Sequence, residues 1–187
     1  MEAIEAIYKR RSVRSYTGRP VDKETIQRLL HAAVQAPSAR NAQPWAFAVL
    51  QGAERLKAYS DRVKTLVLQN ATEHAPARAL HPGPMDPDYN IFHGAGTLIV
   101  IYTKSGGEFA PGDCCQAGQN LMLAACALGL GTCPIGFSLP WLRLPETRRE
   151  LDIPEGYLPI LPIVVGYPKA PLPPPPDRSA PEIVRWL

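Results

Sequence analysis

Hydrophobic positions recur at helical spacing in several parts of the chain. The clearest helix begins after Asp22, a suitable N-cap, and ends at Ala36-Pro37, because a proline disfavours helical geometry in the residue before it. Its buried face consists of Ile26, Leu29, Leu30 and Ala33. The same spacing predicts helices at 4–8 and 53–69. We also predict helices at 113–128 and 146–151, and a short helix that begins with Leu139-Pro140-Trp141.

Uninterrupted apolar runs predict three strands, at 45–50, 97–102 and 158–165. The run at 97–102 is almost wholly apolar and lies between glycines, which indicates a central strand.

The helix predicted over 113–128 is apolar on nearly every side, which is typical of the middle of a protein or of an oligomer interface. Gly129 is a suitable C-cap for it, and Ser138 is placed to cap the next short helix. Between them, Pro134-Ile135-Gly136 lets main chain approach a flat ligand, because Gly136 has no side chain.

Composition indicates one soluble globular domain of 187 residues, 45% hydrophobic and 20% charged. A formal net charge of +3 is too mild to indicate a nucleic-acid partner and suits a small anionic ligand. The most apolar run, 121–130, is far too short to span a membrane. The N-terminus is no signal peptide, and four cysteines without a C-x-x-C pair suggest a reducing compartment, so we predict a cytoplasmic protein.

Two proline-rich stretches depart from this pattern. The segment at about 73–94 lacks periodicity but contains Tyr89 and Phe92, so we predict a lid-like loop. The stretch at about 168–187 is extended by its prolines, and we predict an arm that buries its apolar end on a partner subunit. That end consists of Ile183, Val184, Trp186 and Leu187.

Candidate binding residues occur in two stretches. At the end of the first helix, Arg10, Arg11, Ser12 and Arg14 combine three guanidiniums with a hydroxyl. A solvated basic face is the ordinary interpretation of such a run, but no basic stripe recurs elsewhere, and guanidiniums match a phosphate in bidentate fashion. The loop 37–45 is either a plain helix-to-strand connection or a site whose Asn and Gln amides contact the edge of a heterocycle.

Motifs for several other chemistries are absent from the sequence: Rossmann and P-loop glycine patterns, a Ser-His-Asp set, paired carboxylates and metal-ligand spacings. His74, His81 and His93 are interpreted as solvated or packing side chains. We therefore assign no obligatory acid, base or metal ligand.

Taken in order, these motifs resemble those of the FMN-dependent nitroreductase family over the whole chain. Residues 10–14 match its R-R-S-x-R phosphate motif, and residues 36–45 match A-P-S-x-x-N-x-Q-P-W. Residues 127–133 match its A-x-G-L-G-x-x turn, and Gly166-Tyr167-Pro168 with Arg178 match its C-terminal G-Y-P and basic residue.

The resemblance implies an α+β fold: a three-layer α-β-α arrangement with a central mixed, mainly antiparallel sheet, in an intertwined homodimer with FMN at the interface. The residues that would hold the phosphate and the flavin edge are Arg10, Ser12, Arg14 and Arg178. Arg11 would face either the ring carbonyls or solvent. The other subunit would supply Pro37, Ser38, Ala39 and Asn41. Main-chain donors toward the ring would come from Pro134, Ile135 and Gly136.

The implied activity is reduction of FMN by NADH or NADPH, followed by two-electron reduction of a small aromatic acceptor, a nitroaromatic or quinone, in a ping-pong cycle. Two alternatives stay open: a specialised flavoenzyme of dehalogenase, flavin-fragmenting or oxidase type, and a non-catalytic FMN-binding protein. The chain departs from the family pattern in two ways, since Asp177 stands where a lysine often accompanies Arg178 and residues 134–136 lack an acid. Asn90 and Asn70 are candidates for contacting the flavin pyrimidine edge.

Overall fold

The fold is built on four antiparallel strands, in a computed structural model that describes residues 1–74, 86–104, 106–172, 174 and 176–187. The strands are β1 (Trp45–Gln51), β2 (Thr97–Thr103), β3 (Gly131–Pro134) and β4 (Leu158–Gly166). Their order across the sheet is β1-β2-β4-β3, so that β1 and β3 form its two edges. Among the described residues, parallel pairing occurs at the isolated bridge between Ser12 and Thr132.

The described ranges also contain six α-helices and two short 3-10 helices. The α-helices are α1 (Ala3–Lys9), α2 (Lys23–Ala33), α3 (Ala53–His74), α4 (Ala110–Ala127), α5 (Leu139–Leu142) and α6 (Pro145–Glu150). The 3-10 helices are Ala39–Asn41 and Gly136–Ser138. None of the described helices combines the length and hydrophobicity needed to cross a membrane.

The two faces of the sheet carry separate hydrophobic layers. Successive β2 side chains point to opposite faces, and all seven residues of the strand are buried. Leu98, Val100 and Tyr102 pack with α3 and α5, whereas Ile99 and Ile101 pack with α2 and α4. The predicted three-layer α-β-α fold with β2 as a central strand is therefore confirmed.

Two predicted helix ends, the start of α2 and the end of α4, are confirmed by local hydrogen bonds. The Asp22 carboxylate accepts a hydrogen bond from the Thr25 N–H at 2.8 Å, which confirms the N-cap of α2. Gly129 has φ +74° just after α4, and the Leu130 N–H donates to the Ala125 carbonyl at 2.9 Å. This is the Schellman arrangement, and it confirms that Gly129 ends the helix.

Other helix boundaries differ from the prediction. Helix α4 begins at Ala110, before the predicted residue 113, because Pro111 lies in the first turn, where its missing N–H costs nothing. Helix α2 ends at Ala33 because the chain then tightens into i→i−3 bonds, from Gln35 to Ala32 and from Ala36 to Ala33, before Pro37.

Gly96 is in close contact with the backbone of the segment before α2. A Cβ at this position would lie 2.3 Å from the Gly18 carbonyl oxygen and 2.6 Å from the Pro20 nitrogen. Because both are backbone atoms, side-chain rotation cannot relieve the overlap. We expect Gly96→Ala to lower the free energy of unfolding by roughly 1–3 kcal/mol or more, measured by urea denaturation. Gly112→Ala is the matched control, since its Cβ would have no heavy atom within 4 Å; equal losses in both variants would contradict the prediction.

Candidate functional site

A pocket of about 920 Å³ lies beside the end of β3. It is lined by Arg14, Val67, Tyr89, Ile91, His93, Cys133, Pro134, Ile135, Gly136, Phe137 and Pro140. Small-molecule sites usually measure about 300–1,000 Å³ and combine apolar walls with a few polar groups. Among the described lining residues, Arg14 alone has a permanent charge, so the pocket suits a ligand that carries negative charge.

The N-terminal segment reaches this pocket because it pairs with β3. Ser12 forms a bridge with Thr132, and the Val13 N–H donates to the Thr132 carbonyl at 2.9 Å. A Cβ on Gly131 would lie 2.8 Å from the Val13 side chain, so the glycine permits this close approach. The sequence did not predict β3. Its Gly and Pro are unusual in a strand, and Pro is tolerated here because β3 is an edge strand.

Arg11, which lies in the same N-terminal segment, has one hydrogen-bond donor that is not used. Its Nε and Nη2 donate to the Lys9 carbonyl at 3.3 and 3.2 Å, so the side chain turns back on its own helix end. Its Nη1 is buried and has no acceptor among the described residues. A buried guanidinium N–H without a partner is costly, and a bound anion would satisfy it.

Burial and the Arg14 charge shift the pKa values of three side chains in the pocket wall. Burial, followed by the Arg14 charge, lowers the pKa of His93 to about 4. Burial raises the pKa of the Cys133 thiol, although Arg14, Ser12 and Arg10 oppose this rise. Burial also raises the pKa of Tyr89. At neutral pH these three groups are uncharged, and Arg14 is the charge that acts on all three of them.

The turn after β3 offers fewer main-chain donors than predicted. Pro134 has no N–H, and the Ile135 N–H donates to the Pro162 carbonyl at 2.8 Å. The Gly136 N–H has no acceptor in the described part of the chain, and a Cβ there would meet no heavy atom within 4 Å. Of the three predicted residues, Gly136 alone therefore retains a free main-chain donor, and the space that a side chain would fill at this position is open.

The prediction that Ser138 caps α5 is wrong. Its φ and ψ of −81° and −12° are helical, because the 3-10 helix Gly136–Ser138 runs directly into α5. An N-cap needs extended geometry to direct its oxygen at the helix N–H groups. The buried Ser138 hydroxyl instead donates to the Ile135 carbonyl at 2.8 Å, and so stabilises the turn beside the pocket.

The loop before β1 adopts an unusual backbone but does not line the pocket. Arg40, Asn41 and Gln43 have φ values of +54°, +54° and +46°. The Ser38 hydroxyl accepts from the Gln43 N–H at 3.0 Å, and Gln43 Nε2 donates to Asn41 Oδ1 at 3.1 Å. Because β1 and β3 are opposite edges of the sheet, the structure does not bring this part of the predicted site to the rest. The residues concerned are Pro37, Ser38, Ala39 and Asn41.

Arg178 is also apart from the pocket. It lies on the exposed C-terminal arm and forms no hydrogen bond or ion pair with the residues that the structure describes. The predicted site is thus divided among three places in one chain: the pocket with the N-terminal segment, the loop before β1, and the arm.

The predicted lid at about 73–94 is described only in part. Residues 75–85, which include His81, lie outside the described residues, and so do the side chains of Asn70 and His74. From residue 86 onward the segment is attached to α3: the Ile91 N–H donates to the buried Ser60 hydroxyl at 2.9 Å, and Lys64 Nζ donates to the Pro87 carbonyl at 2.6 Å. Phe92 is fully buried, so its ring belongs to the core.

Sequence reasoning missed several pocket residues, chiefly Val67, Tyr89, His93, Phe137 and Pro140. Tyr89 and His93 meet edge to face at a ring distance of 5.9 Å. No motif could have selected these five residues, because they reach the pocket from α3, from the segment before β2 and from the turn and helix after β3. Asn90 is weakened as a candidate for the pyrimidine edge, since its Oδ1 accepts from the Phe92 N–H at 2.9 Å.

Within the described ranges, no group of three potential ligands could hold a metal.

Comparison with known proteins places this geometry in a family. The model of the nitroreductase family matches residues 7–167. A Methanothermobacter thermautotrophicus protein, provisionally named as an NADH dehydrogenase/NAD(P)H nitroreductase, is 35% identical over 173 residues, which cover 90% of this chain and 78% of that protein.

Solved structures agree in fold. An FMN-dependent nitroreductase from Clostridium difficile superposes with a TM-score of 0.79 at 28% identity, covering 98% of each chain. A nitroreductase with bound FMN from Bacteroides fragilis gives a TM-score of 0.81 at 25% identity, again covering 98% of each. The motifs, the three-layer fold and the family match over most of the chain lead to one conclusion: this protein belongs to the nitroreductase family.

Proposed function

We propose that this protein is an FMN-dependent NAD(P)H oxidoreductase whose pocket beside β3 holds the flavin ring. The observation that carries the proposal is that Arg14 and the unused Gly136 N–H lie in the walls of one large, mostly apolar pocket. Arg11, three residues before Arg14 in the same segment, has a buried Nη1 without an acceptor among the described residues, which a bound anion would satisfy.

The chain's own residues bind and orient the cofactor. Arg10, Ser12 and Arg14 would hold the phosphate and the flavin edge, and the Gly136 N–H is a main-chain donor available to the ring. FMN, when bound, supplies the hydride chemistry. The permanent positive charge of Arg14 would stabilise negative charge on the ring. His93 remains neutral at neutral pH and adds no charge of its own.

We also propose that the enzyme is a cytoplasmic homodimer and that its partner completes the site. In one chain the loop 37–41 lies before the sheet edge opposite β3, and Arg178 lies on an exposed arm. A two-fold dimer allows the same surface of each subunit to complete the other's pocket. The arm's apolar end supports this arrangement, since Val184 and Leu187 are each 94% exposed and Trp186 is 85% exposed in the single chain.

The test of the activity starts with the absorbance spectrum of the purified protein. We expect the bands of non-covalent FMN near unit occupancy per chain, and bleaching of these bands on anaerobic addition of NADH or NADPH. A protein that binds FMN but is reduced by neither nicotinamide would instead be a non-catalytic flavin-binding protein. A protein that binds no FMN would contradict the proposal.

Donor and acceptor should share one flavin face, and they cannot then be bound together, because two flat rings cannot occupy the same stacking position. We therefore expect parallel lines in double-reciprocal plots with a quinone or nitroaromatic acceptor, and competition between a nicotinamide analogue and that acceptor. Intersecting lines, with a ternary complex at equilibrium, would show separate sites.

A further inference from the structure

Asp113 is a buried carboxylate in a helix that is otherwise mostly apolar. It lies in the first turn of α4 and is 5% exposed. Its Oδ2 accepts a hydrogen bond from the Ala39 N–H at 3.2 Å, across 74 residues of sequence. Burying a carboxylate is costly unless it is hydrogen-bonded. Apolar packing therefore does not account for a carboxylate at this position. The hydrogen bond that Asp113 accepts comes from the loop before β1.

That loop needs external support. Arg40, Asn41 and Gln43 all have positive φ, a conformation that costs a non-glycine residue energy and persists only when its surroundings enforce it. Two of the loop's hydrogen bonds, from Gln43 to Ser38 and from Gln43 to Asn41, are internal. They set its shape but not its position on the protein.

Among the described residues, two hydrogen bonds attach the loop to elements beyond its flanking helix. At its end, the Lys104 N–H donates to the Pro44 carbonyl at 2.7 Å, which continues the pairing of β1 with β2. At its start, the described contact is the bond to Asp113. The start of α4 is itself rigid, because the neighbouring Cys114 is fully buried against the sheet.

We propose that Asp113 is a positioning residue: its carboxylate sets the position of residues 38–43 on the protein and, through this loop, the affinity of the partner subunit's pocket for FMN. The inference rests on the proposed function. It assigns Asp113 no contact with the cofactor and no part in proton transfer.

Asp113→Ala and Asp113→Asn separate this role from a general effect on folding. Alanine removes the acceptor of the Ala39 N–H, whereas asparagine keeps an acceptor oxygen at the same place. We expect Asp113→Ala to raise the Kd for FMN about tenfold, as expected for one lost hydrogen bond to a charged group. Asp113→Asn, which keeps the acceptor oxygen but loses the charge, should raise the Kd less than Asp113→Ala, and kcat at saturating FMN should change little in both.

The rate of hydrogen exchange at the Ala39 amide reports on its hydrogen bond to Asp113, and this rate can be measured without flavin. We expect faster exchange at this amide in Asp113→Ala, with the core amides of β2 unchanged. Glu108→Ala, which removes an exposed carboxylate shortly before α4, is the matched control and should change neither quantity.

Three results would overturn the inference. In the first, Ala39 exchange accelerates in Asp113→Ala while the Kd for FMN stays at the wild-type value, so that the loop does not govern affinity. In the second, the asparagine variant is as defective as the alanine variant and both lose global stability, which indicates a folding role. If the wild-type protein itself binds no FMN, the proposed function fails as well, and this result is distinguishable from the other two.

Discussion

Replacing Arg14 with alanine is expected to weaken FMN binding at least tenfold. Among the described residues that line the pocket, Arg14 alone has a permanent charge, and this charge acts on His93, Cys133 and Tyr89. A hydrogen bond to a charged group is worth roughly 1.5–3 kcal/mol, and each 1.4 kcal/mol is about a tenfold change in affinity. The Kd would be measured by titrating apoprotein into FMN at fixed ionic strength and following the quenching of flavin fluorescence.

Arg28→Ala is the matched control for net charge. Arg28 is exposed on α2, away from the pocket, so its removal changes the overall charge equally without changing the site. An NMR titration gives a second readout, because loss of the Arg14 cation should raise the pKa of His93 from about 4, while burial keeps it below its ordinary value. Wild-type affinity for FMN in Arg14→Ala would show that the phosphate and ring are held elsewhere.

Removing residues 173–187 is expected to convert the protein from dimer to monomer and to weaken FMN binding. The exposed apolar side chains near the end of the arm include Ile183, Val184 and Leu187. Burying each such side chain on a partner stabilises the assembly by roughly 1.5–3 kcal/mol. Sedimentation equilibrium over a concentration series would give the dimer dissociation constant of the full chain and of the truncated chain.

Arg178→Ala separates the two effects of this deletion. Arg178 lies within the removed segment but is polar, so the point variant should remain dimeric while its affinity for FMN falls. A full-length protein that sediments as a monomer would refute the proposed dimer. A truncated chain that stays dimeric would place the interface on other surfaces, such as the exposed apolar side of α1 with Ile4 and Tyr8.

Local patterns in the sequence determined much of the secondary structure. The apolar run at 97–102 is β2, because a strand between two helical layers has no solvated face and so needs no polar alternation. The N-cap at Asp22 and the C-terminal glycine at position 129 were predictable because their hydrogen bonds close within one or two turns of the same helix.

The sequence also determined the candidate phosphate-binding residues, since Arg10, Ser12 and Arg14 belong to one short run. It could not determine how their neighbour Arg11 divides its donors, because that depends on which acceptors lie within reach after folding. The sequence also could not determine which main-chain donors stay free in the turn at Pro134–Gly136, because the Ile135 N–H donates to the Pro162 carbonyl of the neighbouring strand β4.

Only the tertiary structure decided where the site lies and what completes it. β3 is a strand because β4 and the N-terminal segment pair with it, although its own residues favour a turn. Tyr89 and His93 enter the pocket because their segment is attached to α3 by bonds spanning 23 and 31 residues. The loop at 38–43 is positioned by Asp113, 74 residues beyond Ala39. Each of these contacts joins residues far apart in sequence, and local propensity carries no information about such pairings.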